Sequence, residues 1–248
     1  MPYREWPAPA DLASDVARIW VLRGTGAVPP ALPVPAVDLI VLGDGRVLVT
    51  GAERTARRGD LPRDGVLTGF RLLPGSCTAL LGVSAADVPA DGFELVAARA
   101  ASPLATGLAT LRALVADRTR TPDREVRRVV DLMRARPAVA VGSYAAAVGL
   151  SERQLRRRFD AAVGLSPKTF LRVQRLHAVV AARRSRGASW ASLAAAAGFY
   201  DQQHMLAEFR RVVGCTPDVL VGAADVRFLH DSCPDLRQHP GHDRPPGR

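Results

Sequence analysis

The sequence predicts an α+β fold, with a β-rich N-terminal domain (residues 1–118) followed by an all-helical domain (residues 119–222). Three observations support this prediction. Short apolar runs alternate with glycine and proline over residues 1–100, apolar residues recur at helical spacing after residue 121, and one pattern in the helical part occurs twice. Residues 223–248 lack any such periodicity and are predicted to be a disordered tail.

Five apolar runs in the N-terminal domain are predicted to be strands. They cover residues 16–22, 38–42, 47–50, 66–73 and 93–97. Asp44 and Gly45 lie between two of these runs and predict a hairpin. A short helix is expected over residues 77–81, and a longer one over residues 103–118, where leucines recur at helical spacing. Residues 118–121 are the predicted linker.

After the linker, the sequence predicts a series of helices. Pro122 is expected just inside the start of the first, and Pro137 is expected to end it. The next helices are predicted over residues 143–148, 152–161, 167–184, 190–197 and 202–212, with a last short helix after Thr216. The helix over residues 167–184 is longer than its neighbours and joins two helix pairs.

The two helix pairs carry the repeated pattern. Each has an alanine-rich helix, a turn with glycine, and a second helix with a polar outer face. The matched positions are Gly149 and Gly198, Phe159 and Phe209, Gly164 and Gly214, and Pro167 and Pro217. The offset is 49 at the turn and 50 afterwards, so the second copy has one extra turn residue. This pattern is typical of a helix-turn-helix, and two copies could present two recognition helices to one DNA duplex.

Positive charge is concentrated in the repeated segment. The chain has a net charge of +10, of which +9 lies in residues 123–221. A basic segment beside a nearly neutral one predicts a polyanionic partner for the basic segment.

The second helix of the first pair has a strongly basic outer face. Ser151 is predicted to cap its N-terminus, with Gln154 completing a capping box. Arg153, Arg156 and Arg157 then fall on one face, and Glu152 and Asp160 flank the cluster. Arginine reads guanine in the major groove and neutralises phosphates, so these three are candidate base contacts; a solvated surface is the alternative.

In the second pair, the corresponding face is polar but lacks arginine. Asp201 is the predicted cap, and Gln202, Gln203 and His204 are candidate base contacts. We expect this half to bind more weakly or to act mainly by positioning, and a plain surface residue is the alternative for His204. Candidate phosphate contacts, with exposed surface as the alternative, are Lys168, Arg172, Arg210 and Arg211.

Residues 123–221 resemble the AraC/XylS family of bacterial transcription regulators. The resemblance rests on the two linked repeats, including Gly164-Leu165-Ser166-Pro167, Ala197-Gly198-Phe199 and Thr216-Pro217. It implies a linker helix that holds two recognition helices in successive major grooves on one face of the DNA. The base-reading positions of the family fall on the six candidates named above, but Ala207 replaces a frequently basic residue.

The N-terminal part is similar to the cupin-like domain of a subset of these regulators, through residues 35–40 and 69–75. This resemblance implies a sensing or dimerising domain. The expected partners are therefore double-stranded DNA, a small-molecule effector, RNA polymerase and a second copy of the chain. All five histidines lie in the C-terminal half, so no cupin metal site, and no other cofactor, is expected.

Several other classes are disfavoured. The odd number of scattered cysteines, together with the absence of a signal peptide or an apolar run of membrane-spanning length, predicts a cytoplasmic protein without membrane partners. No catalytic motif is recognisable, so an enzyme is not expected. The tail residues His230, Cys233, His239 and His242 are interpreted as solvated rather than zinc-binding.

Two alternatives to a sequence-specific regulator remain open at this point. One is an enzymatic or ligand-binding N-terminal module tethered to DNA, for which Asp38, Arg71, Cys77 and Glu94 are the polar candidates, otherwise expected at the surface or the edge of the core. The other is an architectural DNA-binding protein without sequence preference.

Overall fold

The N-terminal part of the protein is built on one antiparallel sheet. The computed structural model describes residues 3–27, 31–56, 60–97, 100–186 and 188–222. Its six strands are β1 (Tyr3–Pro7), β2 (Val16–Ala27), β3 (Asp38–Val41), β4 (Val47–Thr50), β5 (Asp60–Leu72) and β6 (Phe93–Leu95). They lie in the order β1-β2-β5-β3-β4-β6. The predicted β-rich domain is therefore confirmed.

Two features shape this sheet. Strands β2 and β5 are the longest, and their pairing runs from Val16 opposite Leu72 to Ala27 opposite Asp60. Strands β3 and β4 form the predicted hairpin, with Gly45 at a φ of 85°. Because that left-handed conformation is strained for residues with a Cβ atom, glycine suits this turn.

The first strand was not predicted. β1 is short, and charged and aromatic residues occupy it without the apolar alternation of a half-buried strand. It is held at the edge of the sheet by its pairing with β2, from Tyr3 opposite Leu22 to Pro7 opposite Arg18. A long-range pairing of this kind is not visible in the local pattern.

The two faces of the sheet are covered differently. One face carries the main N-terminal core, which includes Leu39, Val41 and Phe70 and packs against helices α1 (Ser76–Leu81) and α2 (Pro103–Ala116). The opposite face carries Trp20, Leu22 and Ile40 beside a cluster of buried charges.

A buried ion pair lies at the centre of this second face. Arg71 is 6% exposed and Asp38 is 7% exposed, and Nε of Arg71 lies 3.2 Å from Oδ1 of Asp38. The indole of Trp20 donates to the same carboxylate at 3.0 Å, and Glu5 lies 3.8 Å from Arg71. Burial acts to lower the pKa of Arg71, but its neighbours, Asp38 foremost, more than offset this, so the pKa is raised and the guanidinium stays charged.

The expectation that Asp38 and Arg71 are surface or core-edge residues is therefore wrong. They are 33 residues apart in the chain and meet because β3 pairs with β5, which sets Asp38 directly opposite Arg71. Of the other two polar candidates, Glu94 is exposed at a side-chain fraction of 53%, and Cys77 is buried. Burial raises the pKa of the Cys77 thiol to about 12.

Seven helices follow in the described residues of the helical part. They are α3 (Arg124–Ala135), α4 (Val141–Ala147), α5 (Glu152–Val163), α6 (Pro167–Arg186), α7 (Trp190–Ala196), α8 (Gln202–Val213) and α9 (Pro217–Gly222). The described residues contain no helix long and apolar enough to cross a membrane. The predicted helices are all present, with boundaries shifted by up to a few residues. The expectation for the tail concerns residues outside the described part of the chain.

Two helix starts differ from the prediction. Helix α3 starts at Arg124, and the side chain of Asp123 caps it by accepting from the Val126 amide. Pro122 therefore lies before the cap rather than inside the helix. Helix α4 starts at Val141, two residues earlier than expected and without a side-chain cap. In the first case, a carboxylate that satisfies a free amide determines the start more strongly than the proline does.

Each helix pair has its own core, and α6 contributes to both. Leu155, Phe159 and Phe170 are fully buried in the first core, and Leu176, Met205 and Phe209 are fully buried in the second. Residues Phe170 to Val180 of α6 thus pass from one core to the other along a single helix.

His177 of α6 faces the N-terminal domain. Its Nε2 lies 3.0 Å from the carbonyl oxygen of Pro33, which can only accept a hydrogen bond, so Nε2 carries the proton. Burial lowers the pKa of His177 to about 4; the Pro33 carbonyl opposes that shift, and the charges of Arg71 and Arg134 add to it. The imidazole is therefore neutral in the folded protein at neutral pH.

We expect His177 to make folding stability depend on pH between about 6.5 and about 4. The folded pKa lies below the unfolded value, so this stability is complete above pH 6.5 and is lost as the pH falls, because the unfolded chain binds a proton that the folded chain excludes. The full loss is on the order of 3 kcal/mol. Urea unfolding at pH 7 and about pH 4.5 would measure it. His177→Gln keeps a donor without the titration, so an equal pH dependence in both proteins would contradict the expectation.

Candidate DNA interface

Helix α5 begins with the predicted capping box. The Ser151 hydroxyl accepts from the Gln154 amide at 3.2 Å, and the Gln154 side chain accepts from the Ser151 amide at 2.9 Å. These bonds satisfy amides at the helix start that have no partner within the helix. Leu155 and Phe159 anchor the helix from its inner side. The cap and the anchors together fix which residues face outward.

The outer face of α5 carries three exposed arginines. Arg153, Arg156 and Arg157 are all exposed, as predicted, and no described carboxylate lies within ion-pair distance of them. Arg158, the next residue, behaves differently. It binds both oxygens of Asp123 at 2.7 Å and Glu125 at 2.6 Å. Arg158 thus ties α5 to the start of α3, whereas the charges of the other three are available to a partner.

Asp160, one turn after Arg156, reduces the positive charge of the outer face of α5 without cancelling it. Burial raises the pKa of the Asp160 carboxyl, and the positive charges of Arg156 and Arg54 oppose that rise. The Asp160 carboxylate therefore lies between the positive charge of Arg156, on the outer face of α5, and that of Arg54, in the N-terminal domain.

Helix α8 is capped by Asp201, as predicted, through a 2.7 Å bond from the His204 amide. Gln203 and His204 are exposed, and Gln202 is half-buried. The ring nitrogen Nδ1 of His204 lies 3.4 Å from the Tyr200 amide and accepts from it. This interaction favours the tautomer with the proton on Nε2, which leaves an N–H donor for a base or a phosphate.

Tyr200 is a candidate contact that the sequence analysis did not identify. It precedes the cap of α8 and is 93% exposed, the second most exposed large apolar or aromatic side chain among the described residues after Val96. Because Tyr200 lies beside Asp201 and His204, it places an aromatic ring with a hydroxyl group at the start of α8. The only available signal in the sequence was an aromatic residue directly before a predicted cap.

The candidate phosphate contacts fall into two groups. Lys168 and Arg210 are exposed, and no ion pair involves them among the described residues. Arg172 and Arg211 share Glu208, at 3.9 Å and 2.6 Å respectively. Glu208 therefore cancels part of the positive charge at the second pair. Lys168 and Arg210 are therefore the better candidates for contacts with DNA phosphates.

The turn of each pair contains a glycine in the left-handed backbone conformation. Gly149 and Gly198, the repeated turn glycines, have φ angles of 69° and 77°. The repeat read from the sequence is therefore also a repeat in three dimensions. The described residues contain no cluster of three or more side chains that could hold a metal ion, and the histidines of the tail lie outside that part of the chain.

Comparison with known proteins identifies the helical domain. A family model described as a helix-turn-helix domain matches residues 144–221, the segment that holds both helix pairs. Residues 144–221 are thus similar to a helix-turn-helix family. Domains of this type bind DNA by placing a recognition helix in the major groove. A search of curated proteins gave no match.

Several solved structures resemble the chain. A transcriptional regulator from Chromobacterium violaceum is 26% identical over 38% of this chain and 85% of its own, with a TM-score of 0.36. The DNA-binding domain of AdpA in complex with a target DNA is 24% identical over 41% and 93%, with a TM-score of 0.38. ToxT from Vibrio cholerae is 8% identical over 81% and 97%, with a TM-score of 0.47.

Proposed function

We propose that the protein regulates transcription by reading a specific duplex site with α5 and α8 in successive major grooves. The observation that most strongly supports this proposal is the exposed outer face of α5, where Arg153, Arg156 and Arg157 have no described carboxylate partner. Arginines that pack for stability acquire partners, as Arg158 does. Charges that lack partners at a recognition helix are suited to guanine edges and phosphates.

The site is proposed to be asymmetric. Helix α5 presents three guanidinium groups, whereas α8 presents two amides and the Nε2 donor of His204. Glutamine can pair with adenine, so α8 would add sequence preference with little charge. The α5 half would therefore supply most of the affinity.

The phosphate contacts are proposed to come from Lys168 and Arg210, with smaller contributions from Arg172 and Arg211 because Glu208 already binds both. Each phosphate contact releases counterions, so it contributes to the salt dependence of binding. The N-terminal domain is proposed to sense a small molecule or to form dimers in the cytoplasm, and RNA polymerase is proposed as a further partner.

Selection from random duplexes, followed by footprinting on the selected sequence, tests this proposal. We expect an asymmetric protected site of about two major grooves, with affinity falling as salt rises, by a factor of about ten per tenfold rise in salt for each phosphate contact. Scrambled DNA of equal length is the control. Equal affinity for both duplexes would instead indicate an architectural protein without sequence preference.

A further inference from the structure

The C-terminal ends of both recognition helices contact the N-terminal domain. The last carbonyl groups of a helix have no partner within it and need donors from elsewhere. At the end of α5, the Gly75 amide donates to the Ala162 carbonyl at 2.8 Å. The hydroxyls of Thr78 and Ser84 lie 3.4 Å from the Ala161 carbonyl. All three donors belong to the N-terminal domain.

Helix α8 ends in the same way. The Ala56 amide donates to the Val212 carbonyl at 2.8 Å. Ala56 also packs against the core of the second helix pair, and so does the fully buried Leu32. One domain therefore supplies hydrogen-bond donors to the C-terminal ends of both recognition helices.

A single loop, residues 51–56, touches both helix pairs; we call it the bridging loop. Near its start, Ala52 packs against the core of the first pair and lies beside Gly164, at the end of α5. At its end, Ala56 contacts α8. Ala52 and Ala56 are four positions apart, so these contacts are at most about 14 Å apart along an extended chain. A span this short leaves the two ends little freedom to move relative to each other.

Two other segments of the N-terminal domain hold the bridging loop in place. The Gly51 amide donates to Pro89 at 2.9 Å, and a Cβ atom on Gly51 would lie only 2.3 Å from the Val88 carbonyl. In the middle of the loop, Glu53 pairs twice with Val34. The Glu53 amide donates to the Val34 carbonyl, and the Val34 amide donates to Oε2 of Glu53, both at 2.9 Å.

The bridging loop adds to other connections between the helix pairs. Helix α6 joins them, and Arg175 on α6 donates to the carbonyls of Pro137 and Gly198. A joint along one helix still allows rotation about that helix. A second connection, displaced from the helix axis, restricts the rotation.

We propose that the bridging loop positions α5 and α8 relative to each other, so that the N-terminal domain determines the half-site spacing that the protein accepts. This inference rests on the proposed function. Glu53 is the positioning residue, because its carboxylate fixes the segment around Val34 to the loop. A change in the N-terminal domain that displaces the loop would alter the spacing without touching a base-contacting residue.

The test compares Glu53→Ala with Glu53→Gln in the full-length protein. Glutamine keeps an oxygen that can accept from the Val34 amide, whereas alanine does not. Binding is measured on the selected duplex and on duplexes with one base pair inserted or removed between the half-sites. Each such step shifts one half by about 3.4 Å along the axis and rotates it.

For the wild type and for Glu53→Gln, we expect each change in spacing to lower affinity about tenfold or more, because one half loses its base contacts. For Glu53→Ala we expect a penalty of about threefold or less, with weaker binding to the original duplex. A Glu53→Ala protein that is folded and as strict about spacing as the wild type would overturn the inference. A wild type without a preferred duplex would instead overturn the proposed function.

Ala56→Pro provides a second variant, in case loss of the Glu53 carboxylate affects folding. Proline removes the amide that donates to Val212, and Ala56→Gly keeps that amide as its control. We expect a change in half-site spacing to lower the affinity of Ala56→Pro less than that of the wild type. Ala56→Gly should keep the wild-type penalty. If both folded variants lost the same affinity on duplexes with changed spacing, the proposed role of the bridging loop would be contradicted.

Discussion

Replacing Arg153, Arg156 and Arg157 together with alanine should abolish specific DNA binding while leaving the fold intact. All three are exposed and pair with no described carboxylate, so their removal breaks no ion pair among the described residues. Arg157→Ala alone should cost about 1–3 kcal/mol of specific binding, which is the value of a good base contact. Titration with the selected duplex and with a scrambled one would measure the loss.

Arg158→Ala is the matched control for these arginines. It removes the same charge from the same helix, but Arg158 binds Asp123 and Glu125. We expect it to lower the free energy of unfolding by about 1 kcal/mol and to affect specific binding less than Arg157→Ala does. If the two single variants bound the selected duplex equally well, direct reading by the α5 face would be contradicted.

Replacing Arg71 with methionine should destabilise the protein by about 3–5 kcal/mol, because it leaves a buried carboxylate without its partner. Asp38 is 7% exposed, and among the described residues its carboxylate would keep the Trp20 indole as a donor, because the Thr50 hydroxyl donates to the Asp38 main-chain carbonyl. Urea unfolding of the full-length protein, followed by circular dichroism, would measure the change.

Arg46→Met is the control for the buried pair. Arg46 binds Asp44 at 2.8 Å, but the two side chains are 46% and 52% exposed, so water screens the pair. Its loss should cost at most about 1 kcal/mol. Comparable destabilisation by both substitutions would show that burial of the Asp38–Arg71 pair does not determine its contribution.

Features that depend on neighbours in the chain were predictable from the sequence. The capping box of α5 needs residues three apart, and the turn glycines need only their own φ angle. The exposed arginines follow from the same logic, since Leu155 and Phe159 determine the inner side of the helix. For these features, periodicity and local hydrogen bonding are sufficient.

Features that depend on distant parts of the chain were not predictable. The burial of Asp38 and Arg71 follows from the pairing of two strands, and the role of Arg158 depends on Asp123, 35 residues away. The edge strand β1 was missed for the same reason. A local pattern contains no information on which charges will meet.

The sequence by itself determined that the protein has a repeated helix-turn-helix with an arginine-rich first recognition helix, because helical periodicity, capping and turn chemistry act over a few residues. Only the tertiary structure decided how the N-terminal domain meets that repeat. The contacts of Ala56 with Val212 and of Gly75 with Ala162 join residues 156 and 87 positions apart in the chain. Such contacts form where packing brings free amides to the open carbonyl ends of helices, and packing is a property of the whole chain.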